Sequence, residues 1–265
     1  IRNNRLTDVG AEELNKRFVP DFMPEPDAGY ISLTTHNNKA ETTNRVELEK
    51  LKTRTFTYTA VVDGKFPEYA YPNKEQLELK VGAQVMFVKN DSSPEKRYFN
   101  GKIGKVILLD VDEVVVHCPD DDFNIVTTPE FWDNINYEVD QETKAIKEKI
   151  IGSYTQMPLR LAWSITIHKS QGLTFEKAII DAASAFAHGQ TYVALSRCKS
   201  LEGLVLKSKI HSSQIISDGN VRSFNENVEQ NAPDENVLES SKKNFQLDLI
   251  TEVFDFYRFL YPLNR

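Results

Sequence analysis

The sequence has little cysteine, no long apolar run and no excess of positive charge, and these absences narrow its class. Its two cysteines, Cys118 and Cys198, are too few and too far apart for a disulfide scaffold or a zinc site. No apolar run approaches the length of a membrane span. We therefore expect a reduced, cytoplasmic compartment. The net charge of −7 is not typical of a nucleic-acid-binding protein.

A phosphate-binding loop is also absent. Its pattern, Gly-x-x-x-x-Gly-Lys-Ser/Thr, places a lysine and a hydroxyl beside nucleotide phosphates. The Gly-Lys pairs of this chain are followed instead by Phe66, Ile103 and Val106. The run Val106–Glu113 imitates the acidic strand of a Walker B motif, but we interpret its acidic end as a hairpin turn, because no phosphate loop precedes it.

Charge is segregated along the chain. Between Lys80 and Lys105 there are six basic and two acidic residues, and three aromatic residues lie among them. From Ser213 onward there are nine acidic and five basic residues. The first segment is compatible with a nucleic-acid surface and equally with a solvated loop, so charge alone leaves both interpretations open.

Apolar patterns predict an α/β domain interrupted by a β-rich insertion. Thr7 is the predicted cap of a first helix through residues 11–18, and a strand at Tyr30–Thr34 precedes a charged helix near Ala40–Leu51. Short strands with glycine-containing turns then favour a small β-barrel. The predicted strands of the barrel are Thr55–Val62, Leu79–Val88, Ile103–Leu109 and Val114–His117. The α/β pattern returns with strands Leu161–Ile165, Lys177–Asp181 and Gly203–Lys207 and a helix at Gln190–Arg197.

These patterns divide the chain into four segments. Residues 1–53 and 153–212 are the two parts of one α/β domain, and residues 54–152 are the β-barrel insertion. Residues 213–265 are an acidic linker and an amphipathic helix near Lys243–Tyr261. The chain begins Ile-Arg-Asn-Asn, and we expect it to be a piece of a longer protein.

Two segments carry the chemistry. In Leu161–Thr174 an apolar strand runs into a polar loop with one glycine, and ligands of open α/β sheets bind at the carboxyl ends of strands. Gly172 lets backbone N–H groups approach a phosphate without an intervening side chain. In Tyr192–Ser200 a helix presents Arg197, whose permanently charged, forked guanidinium suits phosphate oxygens. An isolated helical arginine is usually a salt-bridge partner, and the upstream loop favours the functional interpretation.

These motifs resemble those of superfamily 1 DNA helicases. Thr166–Thr174 and Tyr192–Arg197 are similar to motifs V and VI of the PIF-type and RecD-like group, which moves 5′ to 3′. Leu79–Asn90 and Asn100–Lys105 resemble the entry and a turn of that group's Src-homology-3-like insertion. The resemblance covers about residues 1–210 and excludes the tail. It implies a second RecA-like motor domain interrupted by the Src-homology-3-like β-barrel, with a C-terminal helical tail.

The resemblance also implies roles for individual residues. Arg197 is implied to be an arginine finger, and Gln171 and Gly172 are implied to lie near the γ-phosphate of ATP. Single-stranded DNA is the implied partner of nine residues: Thr35, Asn37, Lys89, Asn90, Lys102, Lys105, Thr166, His168 and Ser170. The family often has a basic residue in the loop after the first strand, where this chain has His36 and two asparagines.

The implied function is the C-terminal half of an ATP-dependent DNA helicase with roles in DNA repair and recombination. ATP and Mg²⁺ are then cofactors of the parent enzyme, and the missing N-terminal RecA-like domain is a partner that holds the metal ligands. The chain alone is expected to be inactive as an ATPase. Two alternatives are a non-enzymatic nucleic-acid-binding module and an interaction scaffold that recruits partners through the acidic tail.

Overall fold

The computed structural model describes residues 6–25, 28–119, 121–139, 145–181, 189–211 and 219–256. It divides the chain into two compact units, Ile1–Ile216 and Ser217–Arg265. The first unit contains every residue that the sequence assigns to a site. Within the described part of the chain, no helix is both long enough and apolar enough to cross a membrane.

A parallel sheet joins distant parts of the first unit. Its strands lie in the order β12-β1-β13-β14, and their bounds are β1 Ile31–Thr34, β12 Ser164–Thr166, β13 Ala178–Ile180 and β14 Leu204–Leu206. β1 comes from the first predicted segment and pairs in parallel with β12 and β13 from the third. The predicted mixed α/β content is therefore confirmed, and the predicted bounds of the four segments stay a prediction.

Among the described residues, three α-helices belong to the segments that form the parallel sheet. They are α1 Asp8–Asn15, α2 Asn37–Lys50 and α3 Gln190–Leu195. The predicted cap of α1 is confirmed, because the Thr7 hydroxyl accepts a hydrogen bond from the Gly10 N–H at 3.1 Å. α2 follows β1 and packs beside β12 and β1. Because α2 follows directly from the carboxyl end of β1, its first turn lies at the edge of the sheet where ligands of α/β folds bind.

The intervening strands are antiparallel. Their bounds are β2 Thr55–Thr59, β3 Val61–Gly64, β4 Gln76–Lys80, β5 Gln84–Phe87, β6 Ile103–Leu109, β7 Val114–His117, β8 Asn124–Thr127, β9 Glu130–Val139, β10 Ile146–Gln156 and β11 Leu159–Leu161. They form sheets in the orders β11-β5-β6-β7-β8, β3-β10-β9 and β2-β4. Most of their apolar side chains make a second core, while Met86 of β5 and Ile103 of β6 pack in the core of the parallel sheet. The Src-homology-3-like character of this region stays a prediction.

Several predicted strands are each split in two by the fold. Thr55–Val62 is interrupted between β2 and β3, and Leu79–Val88 is interrupted between β4 and β5, where Gly82 has a φ of +95°. Glycine adopts this left-handed conformation without a steric cost, so the chain turns there. Leu161–Ile165 also divides, because Leu161 ends β11 while residues 164–166 form β12. β10 runs through the predicted boundary at residue 152, and β11 pairs with β5.

The acidic end of Val106–Glu113 is a hairpin turn. β6 pairs antiparallel with β7, and the Asp110 N–H donates to the Glu113 carbonyl at 2.9 Å. The Walker B interpretation, rejected from the sequence, therefore has no support in this geometry.

The described part of the second unit, residues 219–256, contains two helices, α4 Gly219–Gln230 and α5 Glu235–Val253. Asp234 caps α5 by accepting from the Val237 N–H at 2.9 Å. The sequence predicted a linker where α4 lies and a helix near Lys243–Tyr261. α5 begins eight residues earlier than that prediction, because its cap lies at Asp234, and residues 257–265 are outside the described part.

A buried carboxylate, Asp91, holds the loop between β5 and β6. Its side chain is only 3% exposed. It accepts from the Ser93 N–H at 2.9 Å, from the Arg97 N–H at 2.9 Å and from the Arg97 Nε at 3.2 Å. Burial raises the pKa of Asp91, but the hydrogen bonds from Ser93 and Arg97 outweigh it and lower the pKa from 3.8 to about 2.

The Asp91 carboxylate is expected to make stability depend on pH. Because its pKa is lower in the folded state, its contribution is complete above its unfolded pKa and is lost as pH falls through about 2. A shift of this size corresponds to about 2 kcal/mol. Asp91→Asn is therefore expected to lower the free energy of unfolding near neutral pH and to flatten its acid dependence in urea titrations. The exposed Asp122→Asn is the control, and the same acid dependence in Asp91→Asn and wild type would contradict this role.

Candidate nucleotide and nucleic-acid site

The loop that follows β12 is built by its own hydrogen bonds. The Ser170 N–H donates to the Thr166 carbonyl at 3.0 Å, and the Ser170 hydroxyl donates to the Ile167 carbonyl at 2.7 Å. Ser170 is fully buried. Its hydroxyl therefore holds the loop, and the predicted direct contact of this side chain with DNA does not fit the geometry, because the group faces inward and is already bonded.

Gln171 and Gly172 lie at the exposed tip of this loop. Gly172 has a φ of +80°, a conformation that favours glycine. A Cβ added at Gly172 would meet no atom within 4 Å, so the space over this backbone is open. An exposed, unobstructed backbone is what a phosphate group needs for a close approach to N–H donors.

Arg197 reaches this loop from the end of α3. Its Nη1 donates to the Leu173 carbonyl at 2.9 Å, and its Nε donates to the Val193 carbonyl at 3.0 Å. Its Nη2 donates to the Ser196 hydroxyl at 3.0 Å. The structure thus brings together Arg197 and the loop carrying Gly172, two predicted elements that are 25 positions apart in sequence.

The loop after β1 lies beside the loop after β12. Thr34 and Thr166 are partners in the parallel register, and the Ile167 N–H donates to the Thr34 carbonyl at 2.8 Å. The next residue, Thr35, is half-buried, and its hydroxyl lies 2.7 Å from His36 Nδ1. Asn37 is exposed at the start of α2. The predicted DNA residues of the two loops are therefore neighbours.

His168 and Thr166 differ in accessibility. His168 is exposed on the loop, where a ligand can reach its ring. Thr166 is buried to 4% exposure, and its hydroxyl accepts from the Lys169 N–H at 3.3 Å. Thr166 nevertheless lines a polar cleft beside α2. Both residues are at the carboxyl end of β12, as the sequence predicted.

Lys89 is engaged within the fold rather than presented to solvent. Its ammonium donates to Glu130 at 2.9 Å and to the Phe131 carbonyl at 2.6 Å. It also lies 4.7 Å from the Phe131 ring centroid and 5.2 Å from that of Trp132. The Lys89 ammonium thus links the end of β5 to the start of β9, and its predicted DNA contact would compete with this ion pair.

Lys102 is paired in the same way. Its ammonium lies 2.6 Å from Asp121 and donates to the Arg97 carbonyl at 3.1 Å, and its side chain is 15% exposed. Its predicted DNA contact therefore competes with an internal ion pair. The Asn90 amide oxygen accepts from the Asn100 N–H at 2.8 Å, and Lys105 is half-buried on β6. The DNA roles of Asn90 and Lys105 stay predictions.

A polar cleft of about 750 Å³ was missed by the sequence reasoning. It lies between α2, residues 68–78 of the insertion and the carboxyl end of β12. Three of its basic residues, Lys74, Arg160 and Lys169, come from separate parts of the chain. Lys169 lies inside the motif that the sequence singled out. Lys74 and Arg160 carry no local signal, because only the fold brings them beside it.

The described residues also bear on the implied cofactors. The open backbone at Gly172 and the adjacent Arg197 fit phosphate groups of a nucleotide. No group of three or more histidine, cysteine, aspartate or glutamate side chains that could hold a metal ion occurs in the described ranges. The described residues therefore offer no such ligand group to Mg²⁺.

Known proteins resemble the chain in sequence. No family model matches it. The "ATP-dependent DNA helicase Pif1" of Psychrobacter sp. (strain PRwf-1) is 34% identical, over 70% of this chain and 35% of the relative. The protein of the same description from Campylobacter jejuni is 32% identical, over 83% of this chain and 49% of the relative. The chain thus spans between about a third and a half of these relatives.

Solved structures agree with this relationship. The structure of Bacteroides sp. Pif1 in complex with ADP-AlF4 superposes with a TM-score of 0.78 and 37% identity, over 87% of this chain and 52% of that one. Bacteroides Pif1 bound to ssDNA gives 0.63 and 36%, over 86% and 52%. The matching motifs, the mixed α/β sheet and these likenesses agree, and the chain belongs to the PIF-type group of superfamily 1 helicases as a C-terminal part.

Proposed function

We propose that this chain is the C-terminal motor half of an ATP-dependent DNA helicase, supplying an arginine finger and part of a single-strand track. The observation that carries the proposal is the hydrogen bond from Arg197 Nη1 to the Leu173 carbonyl, at 2.9 Å. This bond joins Arg197, at the end of α3, to the loop that carries Gly172. A phosphate at this point would meet N–H donors and a guanidinium together.

On the nucleotide side, ATP supplies the γ-phosphoryl group whose transfer to water drives the motor. Arg197 is proposed to stabilise the charge that develops on that group. Gln171 and Gly172 are proposed to lie near it, and this assignment rests on their exposure and on the left-handed backbone of Gly172. α3 and the loop hold Arg197 from both sides, which limits the reorganisation needed for catalysis.

On the DNA side, the exposed Asn37 and His168 and the neighbouring Thr35 and Thr166 are proposed to contact the single strand. Support comes from their placement at the carboxyl ends of β1 and β12, which are adjacent strands. A related protein, Bacteroides Pif1, was solved bound to ssDNA. Asn90 and Lys105 of the insertion, which we propose to be Src-homology-3-like, would extend this track.

The same short loop serves both proposed ligands. Its first residue, Thr166, lies in the sheet next to Thr34, and Leu173 near its end receives the bond from Arg197. Hydrogen bonds from Ser170 to Thr166 and Ile167 make the loop one rigid unit. A change at the nucleotide would therefore reach the DNA contacts over a few residues, which is the coupling that a motor requires.

The chain lacks a phosphate loop, so we propose that a separate N-terminal RecA-like domain holds the phosphates and the metal. This partner domain would close against Arg197 when ATP binds and open after hydrolysis. The chain alone is then an incomplete ATPase, although it would still offer a surface to DNA.

Two measurements on the 265-residue chain test the proposal. Fluorescence anisotropy with a labelled oligothymidine should show binding that weakens as salt rises, because phosphate contacts release counterions. Steady-state ATP hydrolysis should stay at background with and without DNA. Absence of binding at low salt would refute the single-strand track. Hydrolysis above background that Arg197→Ala abolishes would refute the proposed incompleteness.

A further inference from the structure

The cleft beside β12 contains three basic side chains without carboxylate partners. Arg160 donates from Nη2 to the Pro72 carbonyl at 2.9 Å, and no ion pair joins it to a described residue. Lys169 and Lys74 are exposed, and neither makes an ion pair with a described residue. By contrast, Lys89 and Lys102 in the insertion are each paired with a carboxylate. None of the three cations is neutralised by an ion pair with a described residue, which is unusual for the half-buried Arg160.

The electrostatics of the cleft favour an anion. Burial lowers the pKa of Lys169, and the charges of Arg160 and Lys74 lower it further, while Glu41 opposes them. Burial also lowers the pKa of Arg160. Three cations and one carboxylate thus face each other around this end of the cleft. A bound anion would relieve both the repulsion and the cost of burial.

The walls of the cleft are fixed before any ligand binds. Asn73 donates from its amide to the Met157 carbonyl at 3.1 Å and to the Leu159 carbonyl at 2.7 Å. The Lys74 N–H donates to the Asn73 side chain at 2.9 Å, and Gln156 donates to the Lys74 carbonyl at 3.1 Å. The backbone of Lys74 is therefore held against the strand that leads to Arg160. Such preorganisation lowers the entropy lost on binding.

We propose that Lys74, Arg160 and Lys169 form a subsite for a backbone phosphate of single-stranded DNA. The inference rests on the proposed function, and it extends the track from the loops after β1 and β12 to the insertion. Thr166 and Asn37, two proposed DNA contacts, line the same cleft. A volume of about 750 Å³ exceeds that of one phosphate and admits a nucleotide with its neighbour's phosphate.

The position of the cleft favours DNA over free nucleotide. Gly172 and Arg197 lie toward the far end of the loop, whereas Lys169 lies toward β12, an edge strand of the parallel sheet. Tyr71 also lines the cleft, and an aromatic residue near a phosphate subsite suits a stacked base. Glu68, Glu75 and Glu78 also line the cleft, but the charges that act on Lys169 are those of Arg160, Glu41 and Lys74.

The first test compares charge-removing variants of the 265-residue chain. Lys74→Gln and Lys169→Gln should each weaken oligothymidine binding about threefold to fivefold, and each should reduce the slope of log affinity against log salt by about 0.7. Lys52→Gln is the matched control, because Lys52 is an exposed lysine outside the cleft. Equal effects at Lys52 and in the cleft would overturn the subsite.

The outcomes separate the two proposals. If wild type binds and the cleft variants bind equally well, the subsite is wrong while the proposed function stands. If wild type shows no salt-dependent binding, the single-strand track fails, and the subsite fails with it. Fluorescence-detected urea unfolding of each variant checks that the fold is retained.

A second measurement needs no substitution. Acetylation of lysines with acetic anhydride, read by mass spectrometry, should modify Lys169 readily, because its lowered pKa leaves more neutral amine than an ordinary lysine has. Oligothymidine should protect Lys169 and Lys74 but leave Lys52 unchanged. ATP or inorganic phosphate at the same phosphate concentration should protect them less. Equal protection by ATP would overturn the assignment to DNA.

Discussion

Replacing Arg197 with alanine is expected to lower the DNA-stimulated ATPase rate of the intact parent enzyme by about 10³-fold. The expectation follows from the position of Arg197, whose permanently charged guanidinium lies beside the open backbone of Gly172. In the proposed mechanism, charge develops there on the transferred phosphoryl group. Because the finger acts in the transition state, kcat and kcat/KM should fall together while nucleotide affinity changes little. Steady-state kinetics over a range of ATP concentrations measures both parameters.

Arg197→Lys separates the charge of Arg197 from its geometry. Arg197 forms hydrogen bonds with the Leu173 carbonyl, the Val193 carbonyl and the Ser196 hydroxyl. A lysine keeps the charge but cannot reproduce this planar fork. We expect Arg197→Lys to recover little of the rate and to loosen the loop.

The control for these variants is Arg54→Ala, which removes an exposed arginine of the insertion. Its ATPase rate should equal that of wild type. If the ATPase rate of the Arg197→Ala enzyme lies within a few-fold of the wild-type rate, Arg197 is not an arginine finger. In that case the bond to Leu173 would be structural, and another residue would serve the phosphate.

The sequence identifies the site best where one short segment carries all of it. Thr166–Thr174 holds a strand end, a polar loop and Gly172 within nine residues, and the structure has each of them in the predicted order. The resemblance implied that Arg197 and this loop serve the same nucleotide, and the bond between them is a feature that only the structure gives. Local pattern therefore predicted the parts but not the contact that joins them.

Three predicted DNA contacts are already engaged within the fold, two of them by carboxylates that are distant in sequence and one by its own loop. Lys89 and Lys102 have the composition of a DNA surface, yet Glu130 and Asp121 neutralise them across 41 and 19 positions. Ser170 looks like a donor for a ligand, but local hydrogen bonding turns its hydroxyl inward. No periodicity or motif reports such pairings.

The polar cleft was missed for the opposite reason, because the fold brings basic residues together there without pairing them. Arg160 lies in a short strand that reads as ordinary core, and Lys74 lies in an irregular segment 86 positions away. Their proximity depends on the buried amides of Asn73 and Gln156, which tie that segment to the strands. A basic side chain can be recognised as unpaired only when the three-dimensional positions of the nearby carboxylates are known.

Gly203→Ala is expected to destabilise the first unit by about 3 kcal/mol, the upper end of the usual cost of overpacking. A Cβ at Gly203 would overlap the carbonyl oxygen of Glu176 and approach Cys198 Sγ. That carbonyl belongs to backbone and cannot swing aside as a flexible side chain can. The Gly203 carbonyl also accepts from the Ala178 N–H at 3.0 Å, so β13 and β14 hold both sides in place.

The strain at Gly203 should reach the proposed finger. Phe175, next to Glu176, donates to the Arg197 carbonyl at 2.8 Å and accepts from the Lys199 N–H at 2.9 Å. Displacing Glu176 would therefore pull on the backbone of Arg197. We expect faster hydrogen exchange at Phe175 and Lys199 in Gly203→Ala, along with a lower urea midpoint.

The matched control for this prediction is Gly219→Ala, because a Cβ at Gly219 would meet no atom within 4 Å. Its unfolding should follow that of wild type. If the free energy of unfolding of Gly203→Ala lies within about 0.5 kcal/mol of the wild-type value, which is usual for a surface substitution, the prediction is wrong. The backbone at Gly203 would then have room to move away from the Glu176 carbonyl. If its stability falls but exchange at Phe175 and Lys199 is unchanged, the backbone absorbs the strain before it reaches Arg197. The finger would then be insulated from this end of the sheet, and its position would depend on α3 and Leu173 alone.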